Sequence, residues 1–503
     1  MPTETTRPQG HYSPQDGRPK LPKKEKAPNN PLVRGIVEFC KALQARRDDT
    51  ADSGTNGSTL ISAANDGEQD GGPSSALATL QVATTDMPKR YTLYPPLLLL
   101  PPNFAMQNPR WTAFYHALGE RDRMELFRYV AEEGFKGMGV SRVAINAPIA
   151  AEVDNGGRGA DGVDDMDRSV DTTVQTTTTP KEQNVLRCPS GLVPVYGDWG
   201  PVPDDPHHRG RLILHPTAKD FDEAFWISTS QHQGIVQCWA PLYTMFSRGN
   251  ISEKARILGL QSHFPGLGQP ELLHHQQIGE LDVVDFYVGI GYFASCYLSR
   301  GARRVYGWDI NPWSIEGLRR GCEKNGWRCL VVRVGETGCL QGQLSIRDLV
   351  EEIERGDHAG EQEAVVRCVA FLGDNKWAWK VLEEMQREYG RIEMDEGRIR
   401  LRLNVRHANL GLLPSSRASW QGAVKVVAGL SDGGTGGWLH VHENVDARQI
   451  DVMGGEIVRE LDGLTRREAR YPYAASCAHV EQVKTYAPGV MHCVFDIEIK
   501  PNG

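Results

Sequence analysis

No CxxC pair, zinc-like spacing or disulfide-like framework joins the ten cysteines, so reduced thiols in an intracellular protein are expected. No apolar stretch approaches the length of a membrane span, and Leu97 to Leu100 is closed by prolines at both ends. The opening segment MPTETTRPQGHYSPQDGRPKLPKKEK has no apolar core of the signal-peptide kind, which predicts a soluble, cytoplasmic chain without membrane association. Excess basic charge is missing too: 56 Lys and Arg stand against 64 Asp and Glu, a formal net charge of −8. That balance excludes a cationic coat and leaves only local patches to touch nucleic acid.

What is present suffices for roughly two or three domains, since 40% of the 503 residues are apolar. Residues 1–30, rich in Pro, Lys, Gln and Gly, read as a disordered leader, and 31–88 as a short helix followed by a polar linker. Aromatic helical patterns and the segment Ser141 to Ile145 predict a small α+β region over 89–150. Low-complexity residues 151–184 read as a disordered insertion. Order resumes over 185–275, a connecting or RNA-binding domain, before the largest domain, 276–503, which an insertion at 328–363 interrupts.

That last domain is organised around Leu281 to Asn311, LDVVDFYVGIGYFASCYLSRGARRVYGWDIN. An apolar run breaks at Gly289 and Gly291 before a helical pattern resumes, and a second run carries Asp309 at its end. Asn311-Pro312 then starts another helix. In this βαβ unit the glycines let the backbone approach a ligand, and Asp309 is placed to accept hydrogen bonds from ribose hydroxyls. The DxxxGxG of Asp285, Gly289 and Gly291 lacks the third glycine of the dinucleotide fingerprint, and two-glycine turns also arise for steric reasons alone. The missing glycine shifts the choice from NAD to S-adenosylmethionine, which has no pyrophosphate to seat on a helix N-terminus.

Other segments bear on the same site. Val365 to Leu372 predicts a strand closing on Gly373, Asp374 and Asn375, a pair that can bond adenine or simply form a turn and helix cap. Ser247, Arg248 and Lys254 in FSRGNISEK either clamp a ligand's polar tail or merely open an interdomain helix. Leu413-Pro414 ends a further strand as a stiffened loop on the substrate side. His440 and His442 share one strand face and read as satisfied strand histidines, so no metal is expected. RIRLRLNVR places Arg398, Arg400, Arg402 and Arg406 on one face, either a half-solvated strand or a phosphate contact. A closing hairpin, Val480 to Tyr486 with His492 to Ile499, completes an α/β, Rossmann-like class I S-adenosylmethionine-dependent transferase fold. It is expected as a seven-stranded doubly wound sheet with a smaller α+β N-terminal region.

WAPLYTMFSRGNISEKARI, VDFYVGIGYF, DINPWSIEGLRRGCEKNGW, FLGDN, NLGLLPSS and HVHENV, in that order, resemble the tRNA wybutosine-synthesising aminocarboxypropyltransferases, most closely the fungal type. The resemblance covers roughly 185 to 499. It implies transfer of the 3-amino-3-carboxypropyl group of S-adenosylmethionine to C7 of 4-demethylwyosine at position 37 of phenylalanine tRNA, releasing methylthioadenosine. It also implies cofactor contacts at Ser247, Lys254, Asp374 and Asn375, and at Asp309 where the family often has Glu. On this view Arg248 helps orient the methionine end, and the ring-proton base stays unassigned. The anticodon arm is the expected partner, bound by a monomer. A tRNA guanosine-37 N1-methyltransferase using the same pocket is the competing enzyme reading, although the NPP[YF] motif of amino methylation is absent. A non-catalytic tRNA-binding protein is the competing reading of another class.

Overall fold

The computed structural model describes residues 28–53, 82–146, 186–189, 191–202, 205–230, 232–246, 249–268, 277–358, 365–396, 402–430, 435–469 and 472–502. Ser247, Arg248, Arg398, Arg400, residues 1–27 of the leader and the whole segment read as a disordered insertion at 151–184 lie outside the described residues.

The chain forms two compact units, the first made of residues 1–90 and 103–139. In it lie helices α1 (Pro31–Ser53), α2 (Pro109–Ala117) and α3 (Glu120–Tyr129). Leu32, Ile36, Phe39 and Leu43 recur at helical spacing along α1 and are all buried. Asn108 starts α2 by accepting from the Trp111 N–H, with Pro109 in the first turn, where its missing N–H costs nothing. Phe104 packs edge-on against Trp111 and Tyr115.

The second unit, residues 91–102 and 140–503, opens with strands β1 (Thr92–Tyr94), β2 (Leu97–Leu100), β3 (Arg142–Ile145) and β4 (Val193–Tyr196), paired in that order. Helices α4 (Pro206–Leu214) and α5 (Ala218–Glu223) lead into a hairpin of β5 (Ile227–Ser230) and β6 (Val236–Trp239), and α6 (Ile251–Ile257) follows.

The remainder is one eight-stranded sheet: β7 (Asp282–Asp285), β8 (Arg304–Asp309), β9 (Arg328–Arg333), β10 (Val366–Leu372), β11 (Val405–Leu410), β12 (Gly437–Asp446), β13 (Tyr473–Ala487) and β14 (Val490–Pro501). Its spatial order is β13-β14-β12-β11-β7-β8-β10-β9. Six neighbours run parallel, from β9 to β12, and β14 inserts antiparallel between β12 and β13. Helices α7 (Ala294–Arg300), α8 (Pro312–Lys324), α9 (Ile346–His358), α10 (Ala378–Glu396), α11 (Trp420–Gly429) and α12 (Ile450–Glu468) make the crossovers and continue into the hairpin.

Alternation along the strands builds two cores. Val284, Tyr306, Trp308, Val369 and Phe371 pack with α9, α10, α11 and α12, whereas Val283, Val305, Cys368 and Ala370 pack with α6, α7 and α8. The sheet is therefore doubly wound, as the sequence predicts, but among the described residues it has eight strands instead of seven. The extra strand is β9, within the stretch read as an insertion. As a partly exposed edge it shows only a short apolar signal, and its parallel pairing with β10 is tertiary. Arg406 also departs from a solvated basic face: it lies buried in β11, and its guanidinium donates to the Gly436 carbonyl. Among the described residues, no helix is long and apolar enough to cross a membrane.

A buried polar chain ties α6 to the sheet. Arg256, fully buried, donates to Glu253 and to Asp496 on β14, and the Asp496 carboxylate also meets His440 Nδ1 at 2.7 Å. His440 Nε2 lies 3.0 Å from His407 Nδ1, and His407 Nε2 lies 3.1 Å from the Gly266 carbonyl. A carbonyl can only accept, so His407 Nε2 donates and its Nδ1 receives from His440. The chain then closes only with one extra proton on the His440–Asp496 pair. Burial pushes the His440 imidazole down, while the Asp496 carboxylate at 2.7 Å pulls it up. Arg256 also stands 3.7 Å from Glu481, so three acids surround the one guanidinium, consistent with the rule that buried charges are paired.

Candidate nucleoside site

The carboxyl ends of β7, β8, β10 and β11 open on a cavity of about 340 Å³. This is the crevice where doubly wound sheets hold ligands. Phe286, Tyr287, Gly289, Ile290 and Tyr292 line it after β7, Asp309 and Ile310 after β8, Gly373, Asp374 and Asn375 after β10, and Gly411 and Leu412 after β11.

The turn after β7 depends on its glycines. Gly289 and Gly291 have φ of 55° and 88°, in the left-handed region that side chains disfavour. A Cβ on Gly291 would come within 2.7 Å of Leu318. Asp309 fixes this turn from the next strand: Oδ2 accepts from Gly289 N at 3.0 Å and Oδ1 from Asn311 N at 2.8 Å. Burial raises its carboxyl to about 6, against the pull of those backbone donors. The carboxylate lines the cavity, where it can accept from a ribose diol.

Asp285 sits differently from a lining residue. It is fully buried beneath the turn, where Oδ1 accepts from Asn409 Nδ2 and Tyr287 N, both at 3.2 Å, and burial lifts its carboxyl to about 7. Asp285 Oδ2 and Asn409 Oδ1, on directly paired strand positions, both lack a hydrogen-bond partner among the described residues. A proton on Asp285 would give one of these oxygens a hydrogen to offer.

Asp374 and Asn375 line the cavity and also serve the local chain. Asp374 caps the short turn after β10 by accepting from Lys376 N at 2.9 Å, and Asn375 Nδ2 donates to the Phe286 carbonyl at 2.6 Å. The turn-and-cap reading is thus realised, with the Asn375 amide oxygen left for a ligand's donor. Leu413 and Pro414 stand just beyond the lining residues Gly411 and Leu412. The Leu413 carbonyl accepts from the Arg187 guanidinium, and the Pro414 carbonyl from Asn444 N at 2.9 Å. Glu443 holds the same loop, accepting from Ser415 Oγ at 3.0 Å and Ser416 N at 2.9 Å.

Lys254 carries the strongest ligand signal. It is 3% exposed, its ammonium has no hydrogen-bond partner among the described residues, and it stands 5.2 Å from the ring centre of Tyr292, a cavity wall. Desolvation lowers its pKa. A buried cation without a counter-ion is costly, and a carboxylate arriving with a ligand would relieve it. These donors suit an adenosyl sulfonium: an acid for ribose, a glycine turn for close approach, and a cation for the amino-acid carboxylate. Sequence reasoning missed Tyr292, Arg187 and Ser314, all of which line the cavity. No spacing marks them, although the YF after the glycine turn places an aromatic beside the site.

No protein-family model matches the chain. It is 32% identical over 413 residues to the tRNA wybutosine-synthesizing protein 2 of Schizosaccharomyces pombe, covering 82% of this chain and 73% of that protein. It is 30% identical over 333 residues to the Saccharomyces cerevisiae protein of the same name, covering 63% of this chain and 58% of that one. Among solved structures, TYW2 of P. horikoshii in complex with MeSAdo aligns at a TM-score of 0.41 and 14% identity, over 83% of this chain and 94% of that chain. With 32% identity spanning 73% of the S. pombe protein, the chain belongs to the tRNA wybutosine-synthesizing protein 2 family.

Proposed function

We propose that this chain transfers the 3-amino-3-carboxypropyl group of S-adenosylmethionine to C7 of 4-demethylwyosine at position 37 of phenylalanine tRNA. The observation that carries the reading, beside family membership, is the buried unpaired ammonium of Lys254 next to Tyr292. A sulfonium offers three carbons to a nucleophile, and the enzyme selects among them by position. With Asp309 on ribose, Asn375 beside adenine and Lys254 on the carboxylate, both ends of the molecule are held. The γ-carbon is then fixed in line with the base. The ring carbon's electron pair forms the new C–C bond, the C–S pair leaves with sulfur as neutral methylthioadenosine, and the ring proton passes to a base or water. Ser247 and Arg248 take the amino-acid end with Lys254, and Asp285 with Gly289 and Gly291 shapes the turn beneath the ribose.

Several features extend the proposal. Residues 185–275 help to hold the anticodon arm, a role supported by Arg187 reaching the Leu413 carbonyl beside the cavity. The chain is proposed to act as a monomer. Ten free cysteines support a reducing, cytoplasmic site of action.

Incubation with 4-demethylwyosine-containing tRNA and carboxyl-labelled S-adenosylmethionine tests the reaction. Label in the tRNA and the aminocarboxypropyl mass are expected. A methyl-sized gain without label would establish N1-methylation instead, and no S-adenosylmethionine binding by calorimetry would point to a non-catalytic protein.

A further inference from the structure

Cys322, Cys329 and Cys368 come from α8, β9 and β10, and their sulfurs all lie within 4.8 Å of one another. Cys322 and Cys368 are buried, and Cys329 is partly exposed on the edge strand. An irregularity in β10 produces the arrangement. The pairing steps from Val366 opposite Arg328 directly to Cys368 opposite Cys329, leaving Arg367 as the extra residue. Bulges of this kind re-aim a side chain, and without it Cys329 would face Arg367.

Buried cysteines often serve as small apolar residues. Three sulfurs gathered from three elements, two of them aligned by a bulge, ask for more. With Zn–S bonds of about 2.3 Å, tetrahedral thiolates sit roughly 3.8 Å apart, so these sulfurs need close by only about an ångström. Among the described residues no imidazole or carboxylate belongs to the cluster, which selects a soft d¹⁰ cation over magnesium, calcium or manganese. We infer that Cys322, Cys329 and Cys368 form a zinc site, with a water completing the tetrahedron. Three thiolates and one Zn²⁺ leave a single negative charge, which the open side at Cys329 exposes to solvent. The ion would staple α8, which begins at Pro312 three residues after Asp309, to β10, which ends at Leu372 two residues before Asp374. It would thus brace the cavity from behind without touching the ligand.

Cobalt titration of the full chain under anaerobic, reducing conditions tests this independently of any transferase activity. A thiolate-to-cobalt charge-transfer band with tetrahedral visible absorption is expected to saturate at one ion per chain and to bleach on adding zinc. Cys329→Ser, on the edge strand, should lose most of that band with its circular dichroism unchanged, whereas Cys339→Ser, at an exposed cysteine, should keep it. Absence of the band in the unsubstituted protein would overturn the site. So would an undiminished band in folded Cys329→Ser and Cys368→Ser.

Discussion

Asp309 Oδ2 accepts the backbone N–H of Gly289 at 3.0 Å, so the acid ending one strand holds the turn that ends its neighbour. One carboxylate therefore shapes the glycine turn and faces the ligand. Asp309→Ala is expected to weaken S-adenosylmethionine binding roughly 10- to 100-fold, the worth of about 1.5–3 kcal/mol in hydrogen bonds to a charged group. Asp309→Glu should recover most of it in calorimetry. Affinity should also fall as pH drops through about 6, where the acid takes up its proton. Folding stability runs the other way. A carboxyl raised in the fold contributes most at low pH, and that contribution is lost as pH rises through the same value.

Lys254 separates recognition from stability. Lys254→Met should raise the dissociation constant of S-adenosylmethionine at least about tenfold, yet leave methylthioadenosine, which lacks the carboxylate, within about twofold. The same variant should melt higher without ligand, because an uncompensated buried charge is removed. Equal weakening of both ligands would show that Lys254 does not hold the amino-acid arm.

Asp285 predicts a pH-dependent stability. Its carboxyl is raised to about 7 by burial, so the fold binds this proton more tightly than the unfolded chain does. The associated stability is complete below about pH 4, the unfolded value, and is lost as pH rises through 7, a change on the order of 4 kcal/mol. Asp285→Asn keeps an acceptor for Asn409 and cannot ionise. Denaturation of both proteins at pH 5 and pH 8 should show the larger decline in the unsubstituted chain, and parallel curves would refute the assignment.

The chain from Gly266 through His407 and His440 to Asp496 closes with one extra proton on the His440–Asp496 pair. Nitrogen NMR at neutral pH should find Nε2 protonated on both His440 and His407. Asp496→Asn leaves Arg256 and His440 short of a partner and should cost about 3–5 kcal/mol by chemical denaturation.

Much of this was legible because it is local. The buried parallel strands read as apolar runs, Asn311 caps α8 by accepting from Trp313 N at 2.9 Å, and Asp309 ends its strand where a ribose contact belongs. Other features depend on chain segments meeting at long range. The edge strand β9 pairs with β10 across an entire helix, and Arg187 reaches Leu413 from a distant loop. The strict alternation around Arg406 suggested one wet face, but β11 lies inside the sheet and every residue of it is buried. Cysteine spacing could not reveal a cluster whose members meet only through a helix, an edge strand and a bulge. Lys254 was named from its motif, but only its burial shows that its charge lacks a partner.

The placement of β14 between β12 and β13 has a consequence for biosynthesis. The ribosome makes β14 after every strand it joins, and Asp496 on β14 neutralises a guanidinium laid down some 240 residues earlier. Until β14 emerges, the β14-facing side of β12 is a bare hydrogen-bonding edge and Arg256 lacks one of its three acidic partners. A nascent chain stalled short of β14 would thus be open to aggregation and to cellular proteases, which gives the cell a means of discarding incomplete copies.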